Sequence, residues 1–153
     1  MIKKFEDLGV WQEARELCKE IYMHISKTPF SNDYALVNQI NRSSGSIMDN
    51  IAEGFERSGN REFIQFLTIS KASCAEVKSQ VYRAFDRQYL SESETEKLSA
   101  KRQSLINQLG GFIHYLKQSE FKGTKFKEPD LVYFPNPESR ITNPESRITN
   151  HES

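Results

Sequence analysis

The sequence lacks an excess of charge of either sign, and it lacks long hydrophobic runs. Its 153 residues include 21 Lys and Arg against 21 Asp and Glu, and the isoelectric point is about 6.8. No run approaches the ~18 apolar residues that span a bilayer. The lysines near Met1 are not followed by the apolar segment of a signal peptide. We therefore expect one cytoplasmic domain without a membrane partner, large enough to bury a hydrophobic core.

Cysteine and glycine are also scarce. The two cysteines, Cys18 and Cys74, have no Cys-x-x-Cys spacing, which favours buried free thiols over a disulfide. The seven glycines form neither a phosphate-binding loop nor a dinucleotide-binding fingerprint. Gly110 and Gly111 fall within a predicted helix, where they favour close helix packing over phosphate binding.

The three histidines do not combine with acidic residues into a metal site. A di-metal site in a helical bundle needs Glu-x-x-His pairs. His24 instead follows Glu20 at a spacing of four, and His114 has Gly111 three residues before it. Serines such as Ser70 have no predicted histidine and acid beside them to make a nucleophile. We expect no metal, no cofactor and no enzymatic activity.

Proline is nearly absent before residue 123, where Pro29 is the only one, and four prolines follow. The end of the chain repeats residues 137–143 as residues 144–150. Proline in each copy prevents a helix, and one apolar residue per copy cannot offset the entropy of ordering. The sequence predicts a folded domain over residues 1–122 and a disordered tail over 123–153. Apolar residues within 126–134 are a candidate arm that docks on the domain.

Four segments of the domain have apolar residues at alternating spacings of three and four, which is typical of amphipathic helices. The stripes are Trp11, Ala14, Cys18, Ile21 and Ile25, with Leu17 beside them; Val37, Ile40, Ser44, Ile47 and Ile51; Phe63, Phe66, Ser70, Cys74, Val77, Val81 and Ala84; and Leu98, Leu105, Leu109, Phe112 and Leu116. A capping box, Ser91 with Glu94 or Ser93 with Glu96, begins the fourth helix. Short links between long helices predict an all-α, antiparallel up-down-up-down four-helix bundle.

The second helix has a polar face besides its apolar stripe. Helical geometry places the polar side chains of this face within a sector of about 80° around the helix axis. They are Gln39, Arg42, Ser46, Asn50, Glu53 and Arg57. A solvated face is one interpretation. The other is a contact between subunits, because serine and asparagine form helices less readily than lysine and glutamate.

The same segments resemble a known family. The matching positions are Phe5, Leu8 and Trp11; Tyr34, Leu36, Gln39, Ile40 and Arg42; Ser46-Ile47; Asn50-Ile51-Ala52-Glu53-Gly54 with Arg57; Glu62-Phe63; Phe66-Leu67; and Ser73 with Glu76. Over roughly residues 3–118 the sequence resembles the bacterial 23S rRNA intervening-sequence proteins, which are often labelled S23 ribosomal proteins but are not core ribosome components. Ser44 and Ser70 stand where the family commonly has alanine, a small change compatible with the fold.

The resemblance implies a four-helix bundle that forms a barrel-shaped homopentamer and is associated with RNA without being an enzyme. A relative, the accessory protein of diversity-generating retroelements, binds its reverse transcriptase and nucleic acid. The implied partners are further copies of the chain, RNA and a reverse transcriptase.

Two functions remain open. In the first, basic residues on the middle helices bind structured RNA, and a ring of subunits repeats the basic patch although each chain is neutral. The candidates are Arg42, Arg57, Arg61, Lys71 and Lys78, with Arg83 and Arg87 on the same helices. No RNA-recognition motif with stacking aromatic residues is visible. In the second, the ring is a scaffold for a reverse transcriptase or another RNA-processing partner.

Assembly or packing is expected to use the polar face of the second helix. The candidate residues are Gln39, Ser46, Asn50, Glu53, Arg57, Glu62 and Glu76. In particular, we expect Asn50, Glu53 and Arg57 to contact third-helix residues such as Glu62 and Glu76. Arg57 with a carboxylate would form a charge-assisted pair.

Overall fold

A computed structural model describes residues 1–119 of the chain. Within these residues it contains helices and no strand, which confirms the all-α class. The helices are α1 (Gly9–Ile25), α2 (Tyr34–Glu56), α3 (Asn60–Asp86) and α4 (Glu92–Gln118), with short 3-10 helices at Phe5–Asp7 and Phe30–Asn32. The predicted boundary after residue 122, the tail and its candidate arm lie outside the described residues.

The helices form the predicted antiparallel bundle. Each helix packs against the next one in the chain, and α1 also packs against α4, which closes the bundle. The link between α2 and α3 is only residues 57–59, so the two helices must reverse direction and lie side by side. Gly59 has a φ of +113°, a backbone conformation that glycine adopts without steric cost.

Two side chains cap helix N-termini. Ser91 Oγ accepts from the Glu94 amide (3.1 Å), and Glu94 Oε1 accepts from the Ser91 amide (2.9 Å), which confirms a capping box at the start of α4. Asp33 Oδ1 accepts from the Leu36 amide at the start of α2 (3.3 Å). Each cap satisfies amide groups that have no partner inside the helix.

The buried stripe of α1 agrees only in part with the predicted one. Ala14, Ile21 and Ile25 are buried as predicted, together with Val10 and Leu17. Trp11 and Cys18 flank this line and are only half-buried. The Trp11 ring packs edge-on against Phe5, with centroids 5.1 Å apart. The prediction was wrong at Trp11 and Cys18 because two adjacent rows of apolar residues on α1 both have helical spacing.

The remaining stripes are mostly buried, as predicted. Every apolar residue predicted on α4 is buried, and α3 buries the same line except for the half-buried Phe66. Both cysteines are free thiols. Cys18 Sγ donates to the Ser44 carbonyl oxygen (3.1 Å). Among residues 1–119, no helix is both long enough and apolar enough to cross a bilayer.

Candidate functional site

Serine hydroxyl groups connect the polar face of α2 to α3. The hydroxyl groups of Ser46 and Ser73 form a hydrogen bond of 2.9 Å. Asn50 Nδ2 donates to the Ser46 carbonyl oxygen (2.8 Å) and to Ser46 Oγ (2.9 Å). Ser70 Oγ donates to the Ile47 carbonyl oxygen (3.0 Å). Ser46 and Asn50, expected in packing or subunit contacts, therefore have hydrogen-bond partners within the chain.

A second group of polar contacts lies nearer the start of α2, around Ser43. Gln80 Nε2 donates to Ser43 Oγ (2.9 Å), and that hydroxyl lies 2.9 Å from the Gln39 carbonyl oxygen and 3.2 Å from Glu76 Oε2. Arg83 Nη1 donates to Gln39 Oε1 (2.6 Å). Gln39 and Glu76 are thus brought together through Ser43, a buried residue that was not among the predicted site residues.

These side chains surround a cleft of about 330 Å³ between α2 and α3. Its lining consists of Gln39, Arg42, Ser43, Glu76, Ser79, Gln80 and Arg83. One carboxylate and two guanidinium groups make the lining basic overall. The cleft therefore offers hydrogen bonds and a net positive charge rather than apolar surface.

Glu53 and Arg57 pair with each other on the surface of α2. Arg57 Nη2 lies 2.8 Å from Glu53 Oε1, and both side chains are about half exposed. The Arg57 guanidinium also lies over the Phe66 ring, 5.3 Å from its centroid. Within residues 1–119 Arg57 forms its ion pair with Glu53, so a contact with Glu62 or Glu76 stays a prediction for the interface between subunits. Exposed pairs of this kind contribute little to stability.

The other predicted nucleic-acid contacts are exposed cations. They are Arg42, Arg61, Lys71 and Lys78. No ion pair within residues 1–119 includes any of these four. By contrast, Arg87 is paired with Asp33 at 2.7 Å. Bonds from Tyr89 and Arg87 hold the pKa of the Asp33 carboxyl group below its ordinary value.

Lys71 and Lys78 lie on the side of α3 that faces α4. A Cβ added at Gly110 of α4 would be 3.6 Å from Lys71 Nζ. Lys78 lines a groove of about 240 Å³ between the two helices. The spacing of seven residues corresponds to about two helical turns, so both side chains project from the same side of α3.

Arg102, a buried arginine on α4 that lines the same groove, was not among the predicted site residues. Its side chain is 4% exposed, Nη2 donates to Gln103 Oε1 (2.8 Å), and Nε has no hydrogen-bond partner among the described residues. A signal was present in the sequence. The predicted stripe passes from Leu98 to Leu105, and Arg102 occupies the missing position between them.

Cys74 lies buried near Arg102. Burial raises the pKa of the Cys74 thiol to about 12, although the positive charge of Arg102 acts in the opposite direction. The thiol is therefore neutral at physiological pH and supplies no negative charge to the guanidinium group.

A buried carboxylate, Glu20 of α1, was also missed. Its side chain is 5% exposed, and its oxygens lie 2.8 Å from Lys101 Nζ and 3.7 Å from Lys97 Nζ. This cluster joins α1 to α4. Among the described residues, no group of three or more His, Cys, Asp or Glu side chains is arranged to hold a metal ion.

Comparison with known proteins gives a family match and a structural match. The model of a family described as 23S rRNA-intervening sequence protein matches residues 6–111. The fold is similar to a crystal structure, at 1.70 Å resolution, of a protein with unknown function from the S23 ribosomal protein family of Bacteroides thetaiotaomicron VPI-5482. Sequence identity is 20% and the TM-score is 0.63, over 68% of this chain and 97% of that chain. No curated protein matches the sequence.

Proposed function

Because the chain belongs to the 23S rRNA-intervening sequence protein family, we propose that it is a non-enzymatic protein that forms homo-oligomers and binds structured RNA. Binding uses the exposed cations of α2 and α3, repeated in every subunit of the oligomer. The number of subunits implied by the family resemblance is five.

The observation that carries this proposal is the set of exposed cations without carboxylate partners. Arg42, Arg61, Lys71 and Lys78 are exposed, and no ion pair within residues 1–119 neutralises them. The whole chain has a formal charge of zero. Binding of a polyanion is therefore favoured by where the cations lie and not by the total charge of the chain. Cations that contact phosphates displace condensed counterions, which makes binding depend on salt.

Self-assembly is supported by the exposed polar residues that the bundle leaves on α2 and at the start of α3. Glu53, Arg57 and Glu62 are exposed. In the oligomer, the Arg57 guanidinium group pairs with Glu62 or Glu76 of a neighbouring copy, either in place of Glu53 or in addition to it. Repetition by symmetry then concentrates the cations of several neutral chains on one surface.

RNA binding is tested by measuring the affinity of the purified protein for a structured RNA hairpin at several salt concentrations. We expect the logarithm of affinity to fall linearly with the logarithm of salt concentration. Arg42→Gln and Lys71→Gln should each weaken binding and reduce the slope by about 1. Lys19→Gln is the matched control, because Lys19 is an exposed lysine of α1 that pairs with Glu16. Affinity that does not change with salt, or no binding at all, contradicts the proposal.

Assembly is tested by sedimentation of Arg57→Ala. We expect this variant to form smaller species than the unmodified protein at the same concentration. Arg15→Ala is the control, because Arg15 also lies over an aromatic ring, 5.7 Å from the Trp11 centroid, but on α1. Unchanged sedimentation of Arg57→Ala argues against a subunit contact at this position.

An alternative function is a scaffold for a reverse transcriptase or another RNA-processing protein. It is favoured by three exposed apolar or aromatic side chains of α3, Ile69, Tyr82 and Phe85. A protein partner would be retained after nuclease treatment and at high salt, because apolar contacts do not depend on charges that salt can screen. Co-purification with one such enzyme that survives nuclease favours the scaffold, whereas its loss on nuclease treatment favours RNA binding.

A further inference from the structure

The groove between α3 and α4 contains a buried positive charge without a counter-charge. Arg102 lines it and is 4% exposed. Its only hydrogen bond within the described residues is to the neutral amide of Gln103 (2.8 Å), and its Nε has no partner. No ion pair within residues 1–119 includes Arg102.

A buried charge is costly unless it is paired and hydrogen-bonded. The neighbouring Cys74 thiol is neutral at physiological pH and cannot serve as the anion. Lys78, on the opposite wall of the groove, adds a second positive charge instead of compensating the first. The electrostatics of the groove therefore favour an anion that binds from outside, and arginine is well suited to phosphate.

A tyrosine lies beside these cations. Tyr82 lines the same groove, one helical turn after Lys78, and its side chain is 54% exposed. An exposed aromatic ring next to cations is the combination that binds single-stranded nucleic acid, in which bases stack on rings while cations follow the backbone. Ser99, also in the lining, adds a hydroxyl group that can donate to a phosphate or accept from a ribose.

A duplex does not satisfy this combination. In an A-form helix the bases are stacked inside and present no free face to a protein ring, whereas loops and bulges have unstacked bases. We propose that the α3–α4 groove binds a nucleotide of an unpaired RNA segment, with its phosphate at Arg102 and Lys78 and its base stacked on Tyr82. This inference rests on the proposed RNA-binding function and assigns it a site and a substrate class.

The experiment uses the full chain and two labelled probes of 12 nucleotides, an oligouridylate and an abasic ribose-phosphate oligomer of the same charge. Tyr82→Ala should weaken oligouridylate binding by about 5-fold or more, the effect of one base stacked on one ring. It should not change binding of the abasic probe. Tyr82→Phe, which keeps the ring, should bind both probes like the unmodified protein.

Lys78→Gln should weaken binding of both probes and reduce the salt dependence, because both probes carry phosphates. Tyr22→Ala is the matched control, since Tyr22 is a tyrosine of α1 that is 65% exposed. Tyr82 and Lys78 are both exposed, so these variants are expected to fold, and thermal unfolding checks this.

The outcomes separate the site from the function. If the unmodified protein binds a blunt RNA duplex without a loop but does not bind oligouridylate, the assignment to unpaired RNA is wrong and RNA binding stands. If it binds oligouridylate and Tyr82→Ala binds it as tightly as Tyr22→Ala does, the groove is not the site. If it binds neither the hairpin nor oligouridylate, the proposed function fails and this inference fails with it.

Discussion

Gly54 of α2 lies so close to Phe66 of α3 that a Cβ added to the glycine would be 2.7 Å from the Cβ of Phe66. The Phe63 ring would be 3.4 Å away on the same side. Contacts between α2 and α3 are the most extensive in the bundle, and this glycine lets the two backbones approach. Gly54 also ends the Asn-Ile-Ala-Glu-Gly motif of α2, so the motif has a packing role at that position.

Gly54→Ala is expected to destabilise the bundle by about 1–3 kcal/mol, the usual cost of overpacking a core. The Cβ of Phe66 is fixed to its backbone and cannot move aside by a change of rotamer, so the helices must separate locally. Urea unfolding followed by circular dichroism measures the change.

Gly45→Ala provides the control on the same helix. A Cβ added at Gly45 meets no atom within 4 Å, so only the intrinsic preference of alanine for helix acts. We expect a gain of about 0.5–1 kcal/mol in the free energy of unfolding. If both alanine variants are equally stable, close packing at Gly54 is not what sets the separation of α2 and α3.

The number and order of the helices could be predicted from the sequence because the periodic signal is long and its breaks are clear. The sequence pattern predicts less well how each helix is rotated about its own axis, and therefore which of its side chains face the core. On α1, Trp11 and Val10 both belong to rows with helical spacing, and only packing in three dimensions selects Val10 for the core. The sequence pattern therefore predicted the bundle better than it predicted which side chains meet.

The charged residues inside the bundle were missed for a related reason. Neither Arg102 nor Glu20 belongs to an apolar stripe, although both occupy buried positions. The charged partners of Glu20 lie on α4, whereas Arg102 has no charged partner among the described residues and forms a hydrogen bond only with Gln103. For Arg102 the signal was a charged residue at a position where the stripe requires an apolar one, whereas the α1 stripe continues from Cys18 to Ile21 without a gap that would have identified Glu20.

The hydrogen bond between Ser46 and Ser73 should appear as coupling in a double-mutant cycle. Ser73 is buried, so Ser46→Ala leaves the Ser73 hydroxyl group without a partner. We expect this to lower the free energy of unfolding by about 1–2 kcal/mol. Ser46→Ala with Ser73→Ala should cost less than the sum of the single changes, by about 0.5–1.5 kcal/mol. Additive single effects, measured by urea unfolding, would show that the contact contributes nothing to stability.

The ion pair between Lys101 and Glu20 predicts a dependence of stability on alkaline pH. The Glu20 carboxylate, which has one oxygen 2.8 Å from Lys101 Nζ, raises the pKa of Lys101 above its ordinary 10.5. A raised lysine pKa stabilises the folded state at all pH values below the unfolded pKa, and the contribution is lost as pH rises through the folded pKa. The difference between the unmodified protein and Lys101→Met should therefore be constant near neutral pH and shrink above about pH 10.5.

At neutral pH, Lys101→Met should lower the free energy of unfolding by about 1–3 kcal/mol, because it leaves the buried Glu20 carboxylate poorly paired. The value is below that of a fully buried pair because the Lys101 side chain is 40% exposed. Lys97→Met is the control, since Lys97 is 70% exposed and its Nζ is 3.7 Å from Glu20. Equal effects of the two substitutions would contradict a dominant role for Lys101.

Arg102→Met separates a binding role of this arginine from a structural one. Replacing a buried charge that lacks a counter-charge by an apolar side chain of similar length removes a desolvation cost, so we expect the free energy of unfolding without RNA to stay the same or rise. RNA affinity should fall about 10-fold or more, the effect of losing a charged hydrogen bond to phosphate. Arg102→Lys, which keeps the charge, should retain part of that affinity. An Arg102→Met protein that is less stable by more than about 2 kcal/mol and binds RNA normally would make Arg102 a structural residue, because unfolding and binding respond in opposite ways under the two roles.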